Sequence, residues 1–228
     1  MRIGIIGAGH VGGTLARLLA KHGHEILIAN SRGPQTLVDL VDDLVGAGGR
    51  AVTAEEAAQG GDLVIVSVPF GRYAELPVAG TADKTVIDTT NYYPERDGHL
   101  PELDRDETTS SELVQAHLRD AYVIKTFNTM YWEHLRDFGR QSSAQFRYAL
   151  PVSGDDERAK RTVFDLVELL GFDPVDVGML ATGGRRQQPG TPVYGADLTA
   201  AQLRDRLGLP APWGVPTPPG GVGSVRRG

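Results

Sequence analysis

Short apolar runs alternate along the chain with segments in which apolar residues recur every three or four positions. The runs are bounded by Gly, Asp, Asn or Ser, as expected for strands that are buried on both faces of a parallel sheet. They are RIGII, HEILIAN, DLVIVSV, KTVIDT, AYVIKTF and FRYALPVS.

The segments between these runs have the spacing of amphipathic helices. One stripe in GGTLARLLAKHG carries Leu15, Leu18 and Leu19, and a second in PQTLVDLVDDLV carries Leu37, Leu40, Val41 and Leu44. Three helix starts have a capping box or a close relative of it, at Thr53 with Glu56, Thr109 with Glu112 and Ser153 with Asp156. The alternation predicts an α/β fold of Rossmann type, a doubly wound, mostly parallel sheet with helices on both faces and a short C-terminal extension.

The first predicted strand runs into a glycine-rich turn in MRIGIIGAGHVGG. Gly7 permits the tight turn, Gly9 lets the backbone approach a pyrophosphate, and Gly12 lets the helix pack closely on the strand. The free amides of the helix that begins near His10 would then face the phosphates. This context predicts dinucleotide binding; the alternative is that the glycines serve only the turn.

The residues at the end of the second predicted strand indicate whether the cofactor is NAD(H) or NADP(H). An acid that would hold the ribose hydroxyls of NAD is missing there, and Asn30, Ser31 and Arg32 follow instead. Arg32 can grip a 2′-phosphate, Ser31 can donate its hydroxyl, and Asn30 can add an amide. We therefore predict NADP(H) rather than NAD(H), with a solvated loop arginine as the alternative.

Two further segments lie where strands end at the carboxyl edge of the sheet, which is where open α/β sheets bind ligands. In the first, Pro69 ends the strand after Val68, and Phe70 either covers a ribose or ring or packs at the edge. The second is Phe127, Asn128, Thr129 and Met130, which would form a pocket floor for a flat ring. A helix cap and core filling are the alternative for this second segment.

Composition narrows the classes of function. A formal net charge of −6 argues against a general binder of nucleic acids or anionic membranes. The absence of cysteine excludes disulfides, thiol nucleophiles and thiolate metal sites, and we predict no metal site. No apolar run reaches the roughly 18 residues of a membrane span, and we expect no signal peptide because the first predicted strand begins at Arg2 without an apolar leader segment. We expect a cytoplasmic protein with small-molecule partners.

The regular pattern weakens after Val175. We expect an NADP(H)-binding Rossmann domain at 1–180, a short segment at 181–208 that contributes to the acceptor cleft, and a Pro/Gly-rich tail at 209–228, either mobile or lying on another subunit. DLTAAQLRDRLG predicts one short helix with Leu198 as its N-terminal anchor. Because so small a C-terminal region would leave apolar edges uncovered, we also expect a homodimer.

In combination, GAGHVG, IANSRG, VSVPF, IKTFNT, VSGDD and VDVGML resemble the NADPH-dependent reductases of the deazaflavin coenzyme F420 over about residues 1–180. The resemblance implies hydride transfer between nicotinamide and deazaflavin rings that are stacked face to face. It implies pyrophosphate contacts from Gly7, Gly9, His10, Val11 and Gly12. It implies that Ser31 and Arg32 hold the 2′-phosphate, that Pro69 and Phe70 flank the nicotinamide, and that Asn128, Thr129 and Met130 line the deazaflavin pocket.

Direct hydride transfer between two bound rings requires correct positioning of the rings and little chemistry from side chains. We therefore assign no catalytic acid or base. Arg185 and Arg186 are candidates for contacts with an anionic deazaflavin tail, with a solvated basic loop as the alternative. The acceptor remains open, because FNT also resembles the reductase domain of six-transmembrane metalloreductases, which pass electrons through a flavin. FAD or FMN, or a small imine or ketone with Lys125 or Tyr131 as general acid, are alternatives. A module that senses NADPH without turnover is a third.

Overall fold

A computed structural model describes residues 1–44, 46 and 48–210 of the chain. Eight strands of these residues form one sheet. They are β1 (Arg2–Ile6), β2 (Glu25–Ala29), β3 (Arg50–Ala51), β4 (Leu63–Val66), β5 (Thr85–Asp88), β6 (Tyr122–Lys125), β7 (Ala149–Gly154) and β8 (Asp173–Gly178).

The strand order is β3-β2-β1-β4-β5-β6-β7-β8, and β1 to β6 run parallel. Ile3 of β1 is paired with Ile26 on one side and with Leu63 on the other. Chain order therefore reverses at β1, and the carboxyl ends of β1, β2 and β4 meet at the switch point, where sheets of this kind bind ligands. The predicted doubly wound, mostly parallel α/β fold is confirmed.

The helices cover both faces of this sheet. They are α1 (His10–Lys21), α2 (Val38–Asp42), α3 (Ala54–Gly60), α4 (Pro94–Asp97), α5 (Pro101–Asp104), α6 (Ser110–His117), α7 (Trp132–Asp137), α8 (Glu157–Leu169) and α9 (Ala200–Arg206). Helices α1, α2, α7 and α8 share one apolar core, and α3, α5 and α6 share the other. Side chains of β1 point alternately to the two faces of the sheet and contribute to both cores, since Ile3 and Ile5 belong to the first core and Ile6 to the second.

The last described segment packs on the far edge of the sheet. Val193, Leu198 and Leu203 form a third apolar cluster with Val175 and Val177 of β8. The predicted short helix is confirmed as α9, and Leu198 is buried just before its N-cap. Of the predicted Pro/Gly-rich tail, residues 211–228 lie outside the described residues. Among the described helices, none has the length and apolar character needed to cross a membrane.

Several local predictions need correction. Ser153 does not cap a helix, because it lies within β7, and the carboxylate of Asp156 alone accepts the N–H of Ala159 at 2.7 Å. The helix predicted from PQTLVDLVDDLV is divided into a 3₁₀ turn at Pro34–Thr36 and the short α2. Strand β7 runs antiparallel to β6, whereas FRYALPVS was expected to be a parallel strand.

Candidate active site

The turn after β1 needs glycine at its first position. Gly7 has a φ of +110°, which side chains disfavour, and its N–H donates to the carbonyl oxygen of Ala29 at 2.8 Å. A Cβ at Gly7 would lie 2.0 Å from the carbonyl oxygen of Ser67 at the end of β4. The turn is therefore held tightly between the ends of β2 and β4.

The next two glycines differ in their surroundings. A Cβ at Gly12 would lie 1.9 Å from the carbonyl oxygen of Gly7, so this position lets α1 pack on the strand that precedes it. A Cβ at Gly9 would have no atom within 4 Å, and Gly9 is the N-cap of α1. The unpaired first-turn amides of α1, which include those of His10 and Val11, are a general anion-binding feature. The His10 side chain stacks on Trp132, with ring centroids 4.8 Å apart.

A cavity of about 300 Å³ opens where β1, β2 and β4 end. Its wall combines glycine backbone, apolar side chains and two arginines. The lining residues are Ile6, Gly7, Ala8, Gly9, Ala29, Asn30, Ser31, Arg32, Ala54, Ser67, Val68, Pro69, Arg72, Glu75, Leu76 and Pro77. The cavity therefore joins the predicted pyrophosphate turn to the predicted 2′-phosphate loop.

Hydrogen bonds within the loop after β2 shape the predicted 2′-phosphate site. The Asn30 side chain donates to Thr36 Oγ1 at 2.8 Å and accepts the N–H of Arg32 at 3.0 Å. Gln35 Nε2 donates to the carbonyl oxygen of Arg32 at 3.0 Å. Asn30 thus orders the loop with both ends of its amide, while Ser31 and Arg32 remain exposed at the cavity.

Charge around the cavity favours an anion. Glu75 is the single carboxylate among the described lining residues, and the Arg72 guanidinium binds both of its oxygens. Asp39 lies in the first turn of α2, exposed and outside the cavity wall. Arg32 therefore faces the cavity without a competing carboxylate from β2 or its loop.

The predicted residues after β4 separate into two groups. Val68 and Pro69 line the cavity, whereas the Phe70 side chain is fully buried and does not. Phe70 stacks on Tyr73 at 4.9 Å and meets Tyr92 edge-on at 5.7 Å. The expectation that Phe70 flanks the nicotinamide is therefore wrong, and edge packing is its role.

The segment after β6 is also more deeply buried than expected. The side chains of Phe127 and Met130 belong to the core shared with α1 and α8, so they do not present a surface to a ring. Phe127 adopts a φ of +59°, a strained conformation for an aromatic residue that needs support from its surroundings and is common near functional sites. This backbone turn sends the chain from β6 into Asn128.

Asn128 lies in a buried polar network. Its Nδ2 donates to Asn91 Oδ1 at 3.0 Å and to the carbonyl oxygen of Gln187 at 2.8 Å, while Asn91 Nδ2 donates to the Asn128 carbonyl at 2.9 Å. Because both backbone carbonyls require donors, the orientation of each amide is fixed. Asn128 Oδ1 is left without a described donor, as is Gln187 Oε1. Buried acceptors of this kind call for an N–H or O–H partner.

The C-terminal segment reaches the same network. Gly195 donates its N–H to the Thr129 carbonyl at 2.8 Å, and the Tyr194 hydroxyl bonds to that of Tyr93. Burial raises the pKa of Tyr194 above its ordinary value, and the bond to Tyr93 adds to the increase. The structure thus brings residues 187–195 onto the predicted acceptor residues.

Comparison with known proteins agrees with this geometry. Residues 2–92 match the family described as NADP oxidoreductase coenzyme F420-dependent. The chain is 33% identical to the hypothetical protein SMa0349 of Sinorhizobium meliloti over 87% of this chain and 95% of that one, with a TM-score of 0.74. The chain belongs to the coenzyme F420-dependent NADP oxidoreductase family.

Two other relatives differ in what their names say of the acceptor. A proposed F420-dependent NADP-reductase from Arthrobacter sp. FB24 is 27% identical over 86% of this chain and 98% of that one, with a TM-score of 0.69. Metalloreductase STEAP3 of Rattus norvegicus is 26% identical over 183 residues, which are 79% of this chain. The chain spans about a third, 34%, of the length of that curated relative.

The two candidate general acids differ in their surroundings. Lys125 is buried, with Nζ 3.3 Å from Asp88 Oδ2 and 2.9 Å from the carbonyl oxygen of Thr90, so it forms a core ion pair. Tyr131 is exposed by 58%. Of the candidates for a tail contact, Arg185 pairs with Asp106 at 3.0 Å, while Arg186 is exposed.

Sequence reasoning missed two kinds of residue. Arg72 and Glu75 line the cavity. Their position just after Val-Pro-Phe, at the switch point of the sheet, is the sequence feature that could have identified them. Asn91 and Tyr194 join the network around Asn128, and no local pattern marks them.

Proposed function

We propose that this protein transfers a hydride between NADP(H) and the deazaflavin coenzyme F420. One observation carries the cofactor half, namely a cavity at the switch point that exposes Ser31 and Arg32 and lacks an unpaired carboxylate among its described residues. Family membership and the likeness to the Arthrobacter protein support the F420 half.

The residues present fit an NADP(H) molecule along the cavity. The backbone at Gly9 and the first-turn amides of α1 would hold the pyrophosphate, because these groups are donors with open space in front of Gly9, while Gly7 forms the tight turn that positions them. Ser31 and Arg32 would hold the 2′-phosphate through a hydroxyl and a charged fork. The loop order imposed by Asn30 would fix both at low entropic cost.

The nicotinamide half would extend past Val68 and Pro69 toward the end of β6. Bound NADP(H) supplies the hydride chemistry there, and the protein would supply position and exclusion of water. Asn128 would provide an acceptor for an N–H group through Oδ1, which has no described donor. Its other amide bonds would hold that oxygen still.

A second candidate is NADPH oxidation with a flavin as acceptor. The likeness to metalloreductase STEAP3, which extends over 79% of this chain, favours it. The two candidates share the cofactor half and differ only in the ring that accepts the hydride.

Stopped-flow absorbance with NADPH and, separately, F420, FAD and FMN tests the proposal. NADPH loss that depends on F420 alone supports it, whereas loss with FAD or FMN alone would favour the second candidate. NADPH binding without turnover on any of the three would refute both and leave either reduction of a small imine or ketone or a sensing module. Loss of the Arg32 charge in Arg32→Ala should raise the KM for NADPH by about 10- to 100-fold, with little change for NADH.

The homodimer and the cytoplasmic location remain predictions. Sedimentation velocity of the purified chain tests the dimer. We expect a dimer because the C-terminal region is too small to cover all apolar edges of the sheet. Small-molecule cofactors remain the partners that we propose.

A further inference from the structure

We propose that Arg72 is a second cationic side chain that binds the 2′-phosphate of NADP(H). In the free protein Arg72 is paired with Glu75, and it exchanges this partner for the phosphate when the cofactor binds. The inference rests on the proposed cofactor and adds a residue pair to its specificity. It concerns the β4 side of the cavity, opposite Ser31 and Arg32.

The position of Arg72 is the first step of the argument. Arg72 and Glu75 lie three residues apart in the 3₁₀ helix Phe70–Glu75, a spacing that brings side chains to the same side. Both line the cavity that Arg32 lines from the end of β2. Arg32 and Arg72, which follow two different strands, therefore line one cavity with room for an anion.

The bonding of Arg72 is the second step. Its Nε lies 3.1 Å and 3.0 Å from the two carboxylate oxygens of Glu75, so the fork is already shaped for a planar anion. This bond holds the pKa of Glu75 below its ordinary value, because the guanidinium of Arg72 stabilises the charged carboxylate.

The weakness of that pair is the third step. The two side chains are 47% and 60% exposed, and ion pairs with such exposure contribute little to stability. A phosphate monoester carries a charge of about −1.5 to −2 near neutral pH and offers three acceptor oxygens, whereas a carboxylate carries −1. A guanidinium at the cavity wall would therefore exchange Glu75 for the phosphate.

The chain offers a matched control for a purely structural role. Arg105 and Glu107 form a similar pair, with Nε 2.7 Å from Oε1 and exposures of 61% and 54%. Neither residue lines the cavity. Variants of this pair report what the loss of an exposed Arg–Glu contact does when no cofactor is near.

Fluorescence titration with NADPH and NADH, without any hydride acceptor, tests the inference. Arg72→Ala should raise the Kd for NADPH by about tenfold or more and that for NADH by less than about threefold. Glu75→Gln should lower the Kd for NADPH by about two- to fivefold, because a competing charge is removed. Arg105→Ala and Glu107→Gln should change neither Kd, and thermal unfolding confirms that each variant is folded.

Two results would overturn the inference. If Arg72→Ala weakens NADPH and NADH equally, Arg72 contacts another part of the cofactor or only the fold. If Glu75→Gln weakens NADPH binding, Glu75 positions Arg72 and does not compete with the phosphate. If Arg32→Ala keeps the normal preference for NADPH over NADH, the proposed 2′-phosphate site itself is wrong. This result tests the proposed function separately from the role of Arg72.

Discussion

Alanine at Gly9 and at Gly12 separates two roles of glycine in the turn after β1. A Cβ at Gly12 would lie 1.9 Å from the Gly7 carbonyl oxygen, whereas one at Gly9 would have no protein atom within 4 Å. Gly12→Ala should therefore disturb the fold. Gly9→Ala should leave the fold intact and place a methyl group in the cavity.

The magnitudes follow from these distances. Non-bonded carbon and oxygen atoms normally stay about 3.3 Å or more apart, so α1 would have to move by more than about 1 Å in Gly12→Ala. Overpacking of this kind lowers the free energy of unfolding by about 1–3 kcal/mol, and the helix preference of alanine over glycine, about 0.5–1 kcal/mol, offsets only part of it. At Gly9 the φ of −76° suits alanine, and the change in unfolding free energy should stay within about 1 kcal/mol.

Thermal unfolding by circular dichroism and fluorescence titration with NADPH measure the two effects. Each kcal/mol lowers Tm by about 2–4 °C for a chain of this size, so Gly12→Ala should lose several degrees. Gly9→Ala should keep its Tm and raise the Kd for NADPH by about tenfold or more, because the backbone can no longer approach the pyrophosphate. Gly13→Ala is the control, since its Cβ would meet the end of the Arg17 side chain at 3.4 Å and the Ala8 carbonyl oxygen at 3.8 Å, which are ordinary contact distances.

Normal NADPH affinity in Gly9→Ala would refute the assignment of the pyrophosphate to this turn. An unchanged Tm in Gly12→Ala would show that α1 can move away from β1 without loss. Either result would contradict the reasoning from close approach at that position.

Substitutions at three other sites test the placement of individual side chains. Lys125→Met should lower the free energy of unfolding in urea by about 3–5 kcal/mol because Asp88 then keeps a buried, unpaired charge, and adding Asp88→Asn should restore part of it. Phe70→Leu should destabilise the fold in the same urea assay and change the Kd for NADPH less than about twofold. A large loss of NADPH affinity would show that Phe70 contacts the cofactor. Asp156→Ala should lower stability by about 1 kcal/mol through loss of the α8 cap, while Asp156→Asn should not; equal Tm values for the two would contradict the cap.

The sequence predicts well those elements whose signal is local. The apolar run of β1, the glycine turn and the Leu15 and Leu19 stripe of α1 all lie within 20 residues, and each is observed as expected. The capping boxes at Thr53 and Thr109 are equally local and are also confirmed. Short-range patterns suffice here because strand, turn and helix each depend on neighbouring residues.

The sequence predicts poorly the elements that depend on their neighbours in space. Strand β3 has two residues, and β8 reads DPVDVG with only two buried positions, so neither shows a clear apolar run. The antiparallel direction of β7 depends on which edge of the sheet it joins and not on its own composition. Burial of Phe127 and Met130 likewise depends on α8, which packs over the same face.

The two halves of the candidate site differ in the same way. Residues 7–12 and 30–32 use backbone groups and a few side chains within single turns, so the cofactor half can be predicted from short motifs. The acceptor half joins Asn91, Asn128, Gln187 and Tyr194 through hydrogen bonds that span 37, 59 and 103 residues of sequence. Such a network leaves no spacing to recognise, and residues 187–195 can change while the glycine turn and the Arg32 loop stay the same. Relatives that share the cofactor half can therefore differ in the acceptor, which is why acceptor preference must be measured on this chain.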